Sequence, residues 1–145
     1  MAITIGFNHV ATGTPDLDRL IRFYADAFDA TVVHEIAASP PPDFHPRMAI
    51  IDLGGGAALN VAEVPADSII GERRSIGARG AIDHYGLAVD SYTTLAALSD
   101  RIVAAGGEVG DIQELGNEWS LFFRDCDGME LEVCAPADVP SAVAT

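Results

Sequence analysis

Apolar positions in this chain recur with two periods, two residues in short stretches and three to four in longer ones, and the same order of stretches occurs twice. Phe7-Asn8-His9-Val10 reads as a strand. It leads through a turn at 14–18 into a helix over 19–28, where Leu20, Phe23, Tyr24, Ala27 and Phe28 form one apolar face. Short strands are expected over 31–36, 48–53 and 57–64, the last two joined by Gly54-Gly55-Gly56. The second copy places a strand over 82–89 and a helix over 95–103, with Leu95, Leu98, Ile102 and Val103 on its apolar face. A short strand over 108–112 follows, then a hairpin of 121–124 with 129–134 that turns at Asp125-Cys126-Asp127-Gly128. Asp16 and Ser91 are the expected N-caps, and Gly106-Gly107 the terminator of the second helix.

Each copy is therefore a βαβββ module, and the fold class is α+β. Module 1 spans about 5–64, a linker about 65–80, module 2 about 81–135, and a short tail 136–145. Neither half buries enough apolar surface alone, so the two are expected to form one domain, 1–145. The Pro-rich stretch 39–46 is expected to be irregular.

Composition narrows the function. Of 145 residues 49% are hydrophobic and 21% charged, which supports a packed core and excludes a disordered or collagen-like chain. Twenty-two acidic residues against 8 basic ones give a net charge of −14, which disfavours nucleic acid and anionic membrane surfaces as partners. Apolar runs fall short of the roughly 20 residues a bilayer span needs, and Met1-Ala2-Ile3-Thr4 lacks the basic start of a signal peptide, so a cytoplasmic protein is expected. Cys126 and Cys134 are read as reduced thiols.

The repeat also aligns candidate chemistry. His9 and His84 occupy equivalent points of the two first strands, and the hairpin offset of 72 that pairs Gly56 with Gly128 pairs Asn60 with Glu132. Strand side chains alternate, so His9 shares a face with Phe7 and Ala11, Asn60 with Ala58 and Ala62, and Glu132 with Glu130. If pseudo-symmetry turns these strands toward each other, His9, His84, Asn60 and Glu132 converge among small residues. Two imidazoles and a carboxylate suit a first-row divalent metal and leave coordination positions open for a substrate. A lone strand histidine is more often a hydrogen-bonded structural residue; two at equivalent repeat positions with a glutamate are harder to obtain by chance.

Other residues admit two readings. Glu130 is a candidate base or a solvated strand residue. Tyr85 points away from the His84 face and is expected in the core, as are Phe23, Tyr24 and Phe28. Trp119, Phe122 and Phe123 lie in or beside a strand where one parity lines a cavity and the other packs on the helices. Trp119 and Phe122 stand with Asn60 as substrate-binding candidates. His34 and His45 have no partner in the repeat, and His45 is either a lid residue or solvated. Arg73, Arg74 and Arg79 would clamp a carboxylate or phosphate if close to the site, and otherwise answer Asp67, Glu72 and Asp83.

The residues resemble those of the vicinal oxygen chelate superfamily, which includes glyoxalase I, extradiol dioxygenases, fosfomycin-resistance transferases, methylmalonyl-CoA epimerases and metal-free bleomycin-resistance proteins. The resemblance runs from about Ile5 to Pro136 and rests on Asn8-His9-Val10, Asp16-Leu17 with Phe23-Tyr24, Asp83-His84-Tyr85, and Asp125-Cys126-Asp127-Gly128 leading to Leu131-Glu132-Val133. It implies a curved, mostly antiparallel sheet around a metal-binding cleft. His9, His84 and Glu132 fall on the ligand positions for an Fe, Mn, Zn, Ni or Co ion, and Asn60 on a fourth. It also implies a small-molecule substrate and a homodimer.

Departures from the pattern limit the activity. Asn60 is a methylene shorter than the Gln often found at its position in glyoxalase I, which places it beside the metal rather than on it. Phe122 and Cys126 stand where the extradiol signature has Tyr and Pro, and the upstream His is absent from Gly116-Asn117-Glu118-Trp119. Ala11 replaces the fosfomycin enzymes' strand Thr. Glyoxalase-like isomerase or lyase chemistry, with Glu132 or Glu130 as base, is thus preferred. The alternatives are an Fe(II) extradiol-type dioxygenase and a non-enzymatic small-molecule binding or antibiotic-resistance protein.

Overall fold

The computed structural model describes residue 3, residues 7–69 and residues 84–137. The start of the predicted second-copy strand at Ile82-Asp83, the cluster of Arg73, Arg74 and Arg79 with Glu72, most of the linker, and the tail beyond Ala137 lie outside these. The chain divides into two compact units, Met1–Glu72 and Arg73–Thr145.

In the first unit β1 (His9–Thr14), α1 (Leu17–Phe28), β2 (Thr31–Ile36), β3 (Met48–Gly54) and β4 (Ala57–Glu63) form a four-stranded sheet of order β1-β4-β3-β2 under one helix. β1 runs parallel to β4, while β3 pairs antiparallel with both β4 and β2. Asp16 caps α1 by accepting the Arg19 N–H at 2.9 Å. Glu63, at the end of β4, accepts the Leu17 N–H at 3.0 Å, which places a carboxylate at the positive end of the helix. Leu17, Leu20, Phe23, Tyr24 and Ala27 of α1 are buried with Ala49, Ile51, Leu59 and Val61 of the sheet, and this face is the unit's core. Phe23 and Tyr24 meet edge to face at 5.2 Å. The β3–β4 turn needs its glycines, because Gly54, Gly55 and Gly56 all adopt positive φ.

The second unit contains β5 (Gly86–Ala88), α2 (Tyr92–Ala104), β6 (Glu108–Val109), β7 (Gln113–Leu115), β8 (Glu118–Arg124) and β9 (Glu130–Pro136). Its sheet order is β5-β9-β8-β6, with β7 also pairing to β8; β5 is parallel to β9 and the remaining pairs are antiparallel. Ser91 caps α2 through Thr94 N–H at 3.2 Å. At the other end Gly106 takes φ 95°, and Gly106 and Gly107 donate to Val103 and Ile102, the pair of bonds that ends a helix in a Schellman motif. Leu95, Leu98 and Ile102 are buried with Leu121, Phe123, Leu131, Val133 and Ala135.

The α+β class and the mostly antiparallel βαβββ pattern hold in both units. The second departs from expectation in its strands. Of the described part of the strand expected over 82–89, only Gly86–Ala88 is strand, with His84 and Tyr85 ahead of it. The strand expected over 108–112 forms only at Glu108–Val109 (β6), where Gly110 donates to Phe122 carbonyl at 2.9 Å, and a further, unexpected strand, β7, pairs with β8 from Gln113–Ser120 onward. β7 and β8 turn on Gly116, at φ 66°.

Candidate metal centre

The two faces of each sheet have different fates. In β9 the odd positions Leu131, Val133 and Ala135 are buried beneath the helix, while Glu130, Glu132 and Cys134 occupy the opposite face. The antiparallel register sets Phe122 opposite Glu132 and Ser120 opposite Cys134, so Ser120, Phe122 and Arg124 share that open face. Gly86 of β5 is the parallel neighbour of Glu132. His84, just ahead of β5, brings its Nε2 to 3.1 Å from Glu132 Oε2, and its ring meets Phe122 edge-on at 5.0 Å. The buried Ser120 hydroxyl donates to the other carboxylate oxygen, Oε1. His84 and Glu132 side chains keep 27% and 16% exposure, enough for a small ligand to reach them.

Cys134 lies on the same face. Burial, followed by the nearby Glu132 carboxylate, pushes its thiol up to about 12, so at neutral pH it is an uncharged neighbour. Neither Cys126 nor Cys134 is in a disulfide. Glu130 is only 12% exposed, and Arg124 Nε stands 3.8 Å from its Oε2. A cavity of about 230 Å³ opens here, lined by Phe122, Arg124 and Glu130 of the hairpin and by Glu108 and Gly110 beside it.

The predicted aromatics separate. Phe122 stands beside the His84–Glu132 pair, whereas Trp119 lies on the opposite face of β8, opposed to Ala135, and its ring meets Tyr92 of α2 at 5.0 Å. Trp119 is thus taken up in packing against the helix. Phe123, fully buried, has the same parity as Trp119.

In the first unit His9 is exposed at the start of β1, its Nδ1 at 2.8 Å from Asn8 Oδ1, which leaves Nε2 as the outward ring nitrogen. Asn60 stands beside Ala11 and opposite Ile50, on the face away from α1. A cavity of about 170 Å³ lies there, lined by His34, Ile36, Met48, Ala49, Ile50 and Asn60. Sequence reasoning gave His34 no place in it. A bulge between Val32 and His34 sets His34 opposite Ile50 and so turns it to the Asn60 side; an unbroken register would have paired it with Ala49, on the helix side. His45 stays within its own loop, its Nδ1 3.2 Å from Pro46 carbonyl and its backbone bridged to Ser39.

Among the described residues no group of three or more His, Cys, Asp or Glu side chains is gathered to hold a metal ion, and His84 with Glu132 form a pair. As a donor set that pair fits a first-row divalent cation: one imidazole nitrogen from the segment ahead of β5 and one carboxylate oxygen from β9 converge, partly exposed.

Two βαβββ units, each with an open sheet face carrying a polar strand residue, define a class of paired-module α+β proteins. The chain belongs to the Glyoxalase/Bleomycin resistance protein/Dioxygenase superfamily, whose family model matches residues 6–133. Among solved structures it is similar to a glyoxylase/bleomycin resistance protein/dioxygenase domain from Frankia sp., at 27% identity and TM-score 0.73 over 93% of this chain and 94% of that one. A mutant of the fosfomycin resistance protein FosX from Listeria monocytogenes, complexed with Mn(II) and a dihydroxypropylphosphonic acid, matches at 16% identity and TM-score 0.66 over 92% and 94%. Lactoylglutathione lyase from Agrobacterium tumefaciens matches at 20% identity and TM-score 0.62 over 92% and 96%. No curated protein sequence matches it.

Proposed function

We propose that the protein is a divalent-metal-dependent enzyme acting on a small metabolite with adjacent oxygen atoms, by glyoxalase-like isomerase or lyase chemistry. The observation that carries the reading is the approach of His84 Nε2 to Glu132 Oε2 at 3.1 Å on the open sheet face. His84 and Glu132 are two ligands, both in the second unit, and His9 of the first unit is proposed as a metal ligand from its equivalence to His84 in the repeat. A superfamily neighbour complexed with Mn(II), and another named as a lyase, support the same chemistry.

A bound cation supplies Lewis acidity toward a substrate carbonyl, which acidifies the adjoining carbon. The chain's own residues do the rest. Glu132 or Glu130 accepts the proton from that carbon. Phe122 presents an apolar wall against His84, and Asn60, in the first unit, is proposed as a substrate-binding residue whose amide hydrogen-bonds a substrate oxygen. Trp119 is proposed to act through its packing with Tyr92, which supports the strand carrying Phe122. The protein is further proposed to be a homodimer.

Metal analysis of protein purified without chelator, then exposed to Mn(II), Zn(II), Ni(II), Co(II) and anaerobic Fe(II), tests the reading. Wild type is expected to take up about one divalent ion per chain, and His84→Ala none, with the fold retained because an open site contributes less than the core. Equal metal in the mutant would remove His84 from the ligand set. Exclusive retention of iron would move the reading to a dioxygenase, and ligand binding without any metal would move it to a binding protein.

A further inference from the structure

The described residues include three buried polar side chains, Thr14, Ser120 and Asp125. Thr14 and Asp125 serve the backbone, the first at the amide of Asp16 and the second at the amides of Asp127 and Met129. Ser120 instead reaches a side chain. It is 1% exposed in the interior of β8, where a hydroxyl costs free energy unless bonded, and its partner is Glu132 Oε1. The repeat shows that the strand has no need of a hydroxyl here. The offset of 72 that pairs Asn60 with Glu132 pairs Met48 with Ser120, so the module without the carboxylate has a thioether at this place.

We propose that Ser120 is a positioning residue for Glu132. By donating to Oε1 it fixes the rotation of the carboxylate, so that Oε2 is the oxygen presented on the side of His84 Nε2. Glu132 then serves as a ligand through one oxygen, with its orientation set before any cation arrives. The inference rests on the metal-centre reading above and adds to it which oxygen is offered and what holds it.

The test titrates Mn(II) into wild type, Ser120→Ala, Ser120→Thr and Ser120→Cys, reading free Mn(II) by electron paramagnetic resonance, with the unfolding midpoint of each metal-free protein measured alongside. Loss of the donor in Ala, or its weakening in Cys, is expected to raise the Kd for Mn(II) roughly 10–100-fold, whereas Thr, which keeps the hydroxyl, stays within about threefold of wild type. Cys is close to Ser in size, so a purely structural role would leave Cys near wild type and Thr impaired; that order overturns the proposal. So does wild-type affinity in Ser120→Ala. If Ser120→Ala fails to fold, the comparison of Thr with Cys decides. A wild type that takes no Mn(II) refutes the metal-centre reading itself and this inference with it, whereas normal uptake in wild type and all variants refutes only the role of Ser120.

Discussion

The turn between β8 and β9 holds the register that sets Phe122 opposite Glu132, and one side chain organises it. Asp125 is 6% exposed, and its Oδ1 accepts N–H groups from Asp127 and Met129, each at 2.9 Å. Its own backbone N–H and carbonyl close the turn on Met129 and Gly128 at 3.0 Å. Replacing Asp125 with Ala removes two bonds to a charged acceptor and strands two amides in a part-buried turn. Such bonds are worth about 1.5–3 kcal/mol each when fully sheltered, and discounting for water that re-solvates the amides leaves about 2–3 kcal/mol in total. For a protein of this length that lowers Tm by roughly 5–10 °C. Asp125→Asn keeps an accepting oxygen and loses only the charge, so about 1 kcal/mol is expected. Asp52, in the turn of the first unit, is the control: it accepts one amide, from Gly54 at 2.8 Å, and is more open to solvent. Asp52→Ala should cost about 0.5–1 kcal/mol. Urea unfolding followed by far-ultraviolet circular dichroism measures all three, provided the m-value is unchanged. Asp125→Ala within about 0.5 kcal/mol of wild type, or no more harmful than Asp52→Ala, would refute the reasoning.

Two further outcomes are expected. Because the folded Cys134 thiol is raised to about 12 from 9.0, the unfolded chain loses that proton first, and stability should fall as pH rises from about 9 toward 12. EDTA-treated Cys134→Ala should show a shallower alkaline loss than EDTA-treated wild type in denaturant midpoints measured across that range, and parallel curves would contradict the assignment. Light scattering of the purified protein should return twice the chain mass, and a single-chain mass would overturn the proposed homodimer.

The sequence by itself determined the elements and their faces. Periodicity placed both helices. Asp16, Ser91 and Gly106-Gly107 cap and end them as their chemistry requires, and the glycine turns marked the hairpins, because these effects act within a few residues along the chain. Alternation put Glu130 and Glu132 on one face of β9, since a strand has a period of two wherever it lies. The tertiary structure decided which face stays open, because that depends on where the helix docks. Docking sends Trp119 to Tyr92 and leaves Phe122 beside His84. Pairing between strands likewise chose Ser120 as the partner of Glu132, cut the expected strand over 108–112 to Glu108–Val109 and added one at Gln113–Leu115, and by one bulged residue turned His34 toward Asn60. A bulge and a cross-strand partner are properties of two segments at once, and neither segment's own pattern carries them.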